Sequence, residues 1–268
     1  MPPAPHGYRE WAPHPTLAPF VECMWTKDAV RGAGVGPHRV LPDGCVDFLV
    51  EADSGAARFV GAMTRPVDAH PRGRIVAVRF RPGGAAALFG IPVDAWTDAV
   101  APLDHYWRAA DRVADRVASA RDVGLAARSL EFELLARTPR PTTNDRLVLD
   151  AAGAIAADPS ATSIGALADS FGVSRQHLTR EFRARVGYGP KMLGRVLRLR
   201  KLLASIERAH GRARTNFAGL ALAHGYCDQA HLANEVRALT GQRATELLRG
   251  SGSIPPRPTP ADRATSRA

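Results

Sequence analysis

Two carboxylates and a thiol stand close together in the run "PDGCVDF", as Asp43, Cys45 and Asp47. In a pocket such a set could move protons or raise the thiolate content of the cysteine. The favoured reading is structural: Asp43 shapes the Pro42-Asp43-Gly44 turn, Cys45 fills a small core gap, and Asp47 caps or pairs with an arginine such as Arg39. Further along, Arg79 and Arg81 in "VRFRPGG" could meet an acidic effector or lie on the solvated face of a strand. Asp43, Asp47, Arg79 and Arg81 are therefore the candidate effector-binding residues. The glycines of "RPGGAAALFG" precede a helix as in a phosphate loop, but the lysine and hydroxyl that a nucleotide site needs are missing, so strand termination and close packing are expected. Cys23 and Cys45, 22 positions apart with His38 and His70 as remote helpers, make a poor zinc spacing. No Ser-His-Asp pattern or zinc-protease helix occurs. No catalytic residue, metal or cofactor is assigned.

A different chemistry, recognition of a polyanion, is written twice. "LADSFGVSRQHLTREFRARVG" (Leu167 to Gly187) aligns with "LALAHGYCDQAHLANEVRALTG" (Leu220 to Gly241). Leu167 and Ala168 match Leu220 and Ala221 at an offset of 53; His177, Leu178, Glu181, Arg183, Ala184 and Gly187 match their counterparts at 54. Each copy reads as a short helix stopped at Gly172 or Gly225, a cap at Ser174 or Asp228, and a second helix. In the first of those second helices, Leu178, Phe182 and Val186 recur at i, i+4, i+8 as a buried seam. Gln176, Thr179, Arg180 and Arg183 must then face outward together. Such a face on the second helix of a helix-turn-helix enters the DNA major groove.

The pair of units, about 50 residues apart and joined by a long helix, resembles the DNA-binding domain of the AraC/XylS family of bacterial transcription regulators. "SFGVSRQHLTREFRARVGYGPKMLGRVLRLRKLL" and "LALAHGYCDQAHLANEVRALTG" carry the likeness, over residues 163 to 249. It implies double-stranded DNA as the partner, with a small-molecule effector and RNA polymerase as candidate further partners. Arg180 is the expected base contact, because its fork fits the O6 and N7 edge of guanine; Gln176 and Thr179 flank it, and Arg183 is expected at phosphate. The equivalent second face is Gln229, Ala230, Ala233, Asn234 and Arg237. Asn234 stands where the family usually has arginine and Val236 where it usually has phenylalanine, so the second helix is expected to read a different base or contribute less. His177 and His231 are expected to pack within their units.

Charge follows the same division. Of 36 Lys and Arg and 26 Asp and Glu, residues 141 to 268 hold 19 and 10, leaving 17 and 16 before them. A nearly neutral half joined to a basic one suits a sensor attached to a phosphate-neutralising domain. Three cysteines are too few for a disulfide framework. No signal pattern precedes Pro13, and no apolar run approaches the ~20 residues that span a bilayer, so a cytoplasmic location without membrane contact is expected.

The elements that must position these side chains follow from periodicity. The expected fold is an α+β N-terminal domain of short antiparallel strands plus helices, then an all-α domain with two helix-turn-helix units joined by a long helix. Boundaries are placed at 1–137, a linker at 138–146, the DNA-binding domain at 147–250 and a disordered tail at 251–268. Residues 1 to 16 are expected to be irregular, with Tyr8 and Trp11 against the domain. "RVLPDGCVDFLVEA", "ARFVGAM" and "RIVAVRF" read as strands, Ala85 to Phe89 as a short helix closed by Gly90, and "WTDAVAPLDHYW" as a short helix and turn. Ala109 to Arg137 is helical with Val113, Val117, Leu125, Leu130 and Leu134 buried and a break at Gly124. Asn144 or Asp145 is expected to cap a helix starting near Arg146, and Pro190 to open the long connecting helix. The order "LAPFVECMW", "RVLPDGCVDFLV", "FVGAMTRP", "VRFRPGGAAALFGIP", "PLDHYW" resembles an N-terminal domain often fused to AraC-type helix-turn-helix domains, over residues 8 to 137. By position it implies a regulatory role. An enzyme or repair sensor with its chemistry in residues 8 to 137, delivered to DNA by the other half, is the alternative; a basic structural module is the third reading.

Overall fold

Alternating burial in "VDFLVE" gives that strand one inner face, whereas the apolar run of "RIVAVRF" is covered on both faces, as suits a strand in the middle of a sheet. A computed structural model describes residues 7–28, 38–70, 73–103, 107, 109–137, 139–160, 163–209 and 217–248. The strands are β1 (Tyr8–Trp11), β2 (Val21–Asp28), β3 (His38–Val40), β4 (Val46–Glu51), β5 (Ala57–Val60), β6 (Val67–Ala69), β7 (Arg74–Phe80) and β8 (Val100–Pro102). A six-stranded sheet runs β1-β2-β7-β4-β5-β8, and β3 pairs with β6 in a separate ribbon. All the pairings are antiparallel.

Phe48, Val50, Phe59, Val76, Val78 and Phe80 face the helices α1 (Gly84–Phe89), α2 (Ala110–Ser119) and α3 (Val123–Leu135) and are buried with them. The opposite face carries Cys23, Trp25, Ile75 and Ala77. Register places Arg79 between Cys23 of β2 and Asp47 of β4, on that second face.

The α+β then all-α order matches expectation, with several local differences. Tyr8 to Trp11 form an edge strand on β2 rather than irregular chain, because Tyr8 and Glu10 alternate onto the second face beside Trp25. The stretch after Trp96 supplies β8 instead of a helix, since Val100 to Pro102 complete the open edge of β5. The helical segment breaks at Ala120, not at Gly124, and Asp122 caps α3 by accepting from the Gly124 and Leu125 amides. This new phase turns Leu125 outward, 46% exposed, and puts Ala126, Ala127, Leu130 and Leu134 inside. Asp47 pairs with Arg79, while Arg39 pairs with Asp68 across the ribbon. Gly84 serves close packing: a Cβ there would lie 2.1 Å from the Phe20 carbonyl oxygen.

The C-terminal half is α4 (Thr143–Ala157), α5 (Ile164–Ser170), α6 (Arg175–Val186), α7 (Pro190–Ala209), α8 (Phe217–Ala223), α9 (Gln229–Thr240) and α10 (Ala244–Leu248). The helix expected from Arg146 begins at Thr143, inside the expected linker. Thr142 is its cap, in a reciprocal capping box with Asp145, so Asp145 lies in the third helical position and not at the cap. One buried cluster runs from the sheet through α1 into α4, α5, α6 and the start of α7. A second surrounds the rest of α7 with α8, α9 and α10, and Leu41 of the N-terminal half packs on it. The tail 251–268 lies outside the described residues.

Candidate nucleic-acid interface

In the first unit, the αL backbone of Gly172 (φ 64°) turns the chain out of α5, and the Ser174 hydroxyl accepts from the His177 amide at 3.1 Å to start α6. Leu178, Phe182 and Val186 are buried. Gln176, Arg180 and Arg183 are exposed, and Thr179 is half-buried beside them. Gly187 closes α6 at φ 99°, its amide donating to the Arg183 carbonyl. These four outward residues line one open groove, together with Lys191 and Arg195 at the start of α7 and Asp94 of the N-terminal half.

The second unit repeats the geometry. The Asp228 carboxylate accepts from the His231 amide at 2.7 Å, and Gly241 closes α9 at φ 70° with its amide on Arg237. Gly225 (φ 71°) is fixed by conformation and by space, since a Cβ there would lie 2.4 Å from Ser160. Leu232, Val236 and Leu239 are buried; Gln229, Ala230, Asn234 and Arg237 are exposed and Ala233 is half-buried.

Acidic side chains hold both units. Glu181 is buried, and it accepts from Arg180 Nε at 3.1 Å and from Arg185 through its other oxygen; Arg185 Nε in turn reaches Asp145 at 2.7 Å. The Arg180 Nη2 group also lies 2.8 Å from His177 Nδ1. In the second unit Glu235 accepts from Arg195 at 2.9 Å and faces Arg198 at 3.6 Å. Arg198 stacks on Tyr226, Lys201 donates to the Ala157 carbonyl, and Arg200 donates to the Asp43 carbonyl. Much of the positive charge on α7 is thus internal wiring. Arg183 and Arg237 are exposed and make no ion pair among the described residues.

Sequence reasoning had Glu181 and Glu235 in view as matching repeat positions but assigned them no role. Their identity at the offset of 54 was the available signal. His231 packs within its unit, its ring edge-on to Tyr226 and its Nδ1 facing the Cys227 amide; His177 is half-buried against Arg180.

Burial works to raise the Asp145 and Glu235 carboxyls, but Thr142 with Arg185, and Arg195 with Arg198, hold them below the usual carboxylate range. A carboxyl with a lowered folded pKa contributes stability above its unfolded value and loses it as pH falls through the folded one. The urea midpoint is therefore expected to hold between pH 7 and 5 and to fall below about pH 4. A midpoint unchanged down to pH 3 would show that these pairs add nothing.

Of the four candidate effector residues, three meet. Arg79 is largely covered, its side chain 12% exposed, and makes a two-pronged contact with Asp47, both bonds 3.0 Å, with Glu10 at 3.5 Å and Asp43 at 3.6 Å. Its guanidinium lies 5.8 Å from the Trp25 ring, whose indole donates to Asp47 at 3.3 Å. Burial disfavours charge on Arg79, yet Asp47 and Asp43 outweigh it and keep the guanidinium protonated. Burial raises the Tyr8 hydroxyl, which bonds Glu10 alongside. Arg81 is apart from this set, on Glu22 at 2.9 Å and the Ala18 carbonyl at 3.0 Å. The Asp43 carboxylate also accepts from the Cys45 amide at 2.8 Å, which makes the expected turn. Among the described residues no cluster of three His, Cys, Asp or Glu could hold a metal, and no helix is long and apolar enough to cross a membrane.

Two second helices with buried seams and matched glycine stops define a double helix-turn-helix. Residues 167–250 match the family model described as a helix-turn-helix domain, and residues 9–102 match one described as a domain of unknown function. The C-terminal region is an AraC-type helix-turn-helix domain. Among solved structures, the chain is similar to ToxT from Vibrio cholerae, at 8% identity and a TM-score of 0.43 over 91% of this chain and 98% of that one. It is also similar to ToxT with an unsaturated fatty acid bound, at 8% identity and 0.41 over 92% and 97%. A third structure, ToxT bound to (E)-4-(8-methylnaphthalen-1-yl)but-3-enoic acid, gives 9% identity and 0.42 over 91% and 98%. No curated protein matches.

Proposed function

We propose that this chain is a cytoplasmic transcription regulator that binds double-stranded DNA in a sequence-specific way and acts by binding, not by catalysis. The carrying observation is the outward strip of exposed Gln176, Arg180 and Arg183 with half-buried Thr179, on a helix whose opposite seam is buried. A face of that kind fits the major groove, and the second strip, Gln229, Ala233, Asn234 and Arg237, offers a weaker partner to it. Arg180 is the base reader and Arg183, which has no ion pair among the described residues, the phosphate contact. Arg180→Ala is expected to cost about 1–3 kcal/mol of binding and to relax preference at one base pair, whereas Arg183→Ala weakens all sequences alike. Titrating both variants against single-base variants of a selected duplex checks this; a uniform loss with Arg180→Ala would move Arg180 to phosphate.

Asn234→Arg adds a cation to the second face. Binding should strengthen and the salt slope steepen, because a further phosphate contact releases another counterion. An unchanged slope would remove α9 from the interface.

The N-terminal domain is proposed to carry effector control. What supports this is its grip on the readers: the Val93 amide donates to the Ala184 carbonyl at 2.7 Å, and the Thr97 hydroxyl to the Gly187 carbonyl at 2.6 Å, both at the end of α6. Leu41 packs on the core of the second unit. A ligand favouring one seating of this domain would therefore bias the DNA-binding surface, and DNA would bias the ligand equally.

A further inference from the structure

We infer that Glu181 is a positioning residue that fixes the direction of Arg180 toward the bases, an inference that rests on the DNA-binding reading above. An exposed arginine samples many rotamers, and a side chain ordered only on contact loses that freedom at the moment of binding. Arg180 is 69% exposed in its side chain, yet its Nε is held by the Glu181 carboxylate, whose own side chain is 9% exposed. The same carboxylate oxygen lies 3.1 Å from Nη2, so Glu181 grips one edge of the guanidinium, and DNA must draw Nη2 from it before the two terminal nitrogens meet O6 and N7 of one guanine. His177 Nδ1 now faces one of them, and DNA must displace it.

Glu181 cannot swing freely, because its second oxygen takes Arg185, and Arg185 is anchored on Asp145 of α4. Asp145 is itself fixed by the Thr142 capping box. The relay therefore runs from a helix end in the scaffold to the reader on the surface. Its two carboxylates and two guanidiniums cancel, so its contribution is direction and not charge. The second unit lacks this arrangement: Glu235 occupies the same repeat position, but its neighbour is Asn234 and its carboxylate serves Arg195 and Arg198 of α7.

The test selects binding sites from a pool of randomised duplexes with the full-length protein, then compares Glu181→Gln, Arg180→Ala and the double variant on single-base variants of the winner. Removing a negative charge from the DNA side should, by charge alone, leave or raise affinity for the unselected pool. Positioning predicts instead a split: Glu181→Gln keeps pool affinity but loses about tenfold in preference at the one base pair that Arg180→Ala also affects. In the Arg180→Ala background, Glu181→Gln should change that preference no further. Retained preference in Glu181→Gln, or an equal loss in both backgrounds, overturns the inference while leaving the DNA reading intact; failure of the wild type to enrich any sequence overturns both. Should Glu181→Gln fail to fold, the wild type still decides. The Arg180 Nε–H should exchange with solvent at least tenfold more slowly than that of Arg183 in arginine side-chain NMR, free and DNA-bound. Equal rates would mean that Glu181 holds nothing.

Discussion

Arg79→Ala is expected to destabilise the protein by about 3–5 kcal/mol, the cost of leaving buried charge without its partner. The arginine is the only cation within 4 Å of the Asp47 carboxylate and of the nearly inaccessible Glu10 carboxylate among the described residues, and it also faces Asp43. Removing it strands carboxylates on the second sheet face, beside Trp25 and Tyr8, and the β1 edge strand loses its charged tie to β7. The loss should be smaller in Arg79→Met combined with Asp47→Leu, because an apolar pair removes one stranded charge and keeps the volume. Urea midpoints of the two variants check the claim. A single variant within 1 kcal/mol of wild type would mean that water reaches the cluster, which would return these residues to the list of solvent-accessible binding groups.

Phe182→Ala should cost a similar amount, about 3–5 kcal/mol, for a fully buried aromatic. Its wider consequence is more telling. Phe182 belongs to the cluster that continues through α1 into the sheet, so the first unit and the N-terminal domain should unfold together. All four tryptophans, Trp11, Trp25, Trp96 and Trp107, lie in the N-terminal half, while most of the helix lies in the other. Tryptophan fluorescence and far-ultraviolet circular dichroism therefore report on different halves. In Phe182→Ala the fluorescence midpoint should fall with the helical one. Val236→Ala, in the second cluster, should lower the helical signal with a smaller effect on fluorescence. If Phe182→Ala leaves the fluorescence transition in place, the two halves are independent folding units.

Much of the helix-turn-helix half was legible in the sequence because its determinants are local. The caps Ser174 and Asp228 and the stops Gly172, Gly187, Gly225 and Gly241 sit within one or two turns of what they control. The seam Leu178, Phe182, Val186 needs only the period of the helix. The same local chemistry was available at Thr142, where a Thr with Asp three residues later starts α4, but the proline-rich surroundings pointed to a linker. Leu125 fits the buried stripe only if the preceding helix continues in phase, and the turn at Ala120 to Asp122 resets that phase.

What stayed hidden depends on chain brought from far away. Arg79 and Arg81 look equivalent as alternate strand residues, yet one is clamped on Asp47 across β4 and the other leaves the sheet for Glu22. Nothing in "VRFRPGG" distinguishes them, because the partners come from β1, β2 and β4. Likewise the turn at Asp43 was readable as a turn, but not that its carbonyl receives Arg200 from α7, 157 positions later. Glu181 shows the same limit: its place in the repeat was plain, and its use depends on Arg185 and on α4.

Sequence-specific recognition of duplex DNA by two helices is open to a single titration experiment. The full-length protein is titrated, over a range of salt, against its selected duplex and against a scrambled duplex of the same length and composition. The expected result is a preference of at least about 10³-fold for the selected duplex at physiological salt, steep loss of both affinities with salt, and protected segments about 10–10.5 base pairs apart on one face. Equal affinity for the two duplexes at every salt concentration would contradict it and leave only a basic surface that binds polyanions.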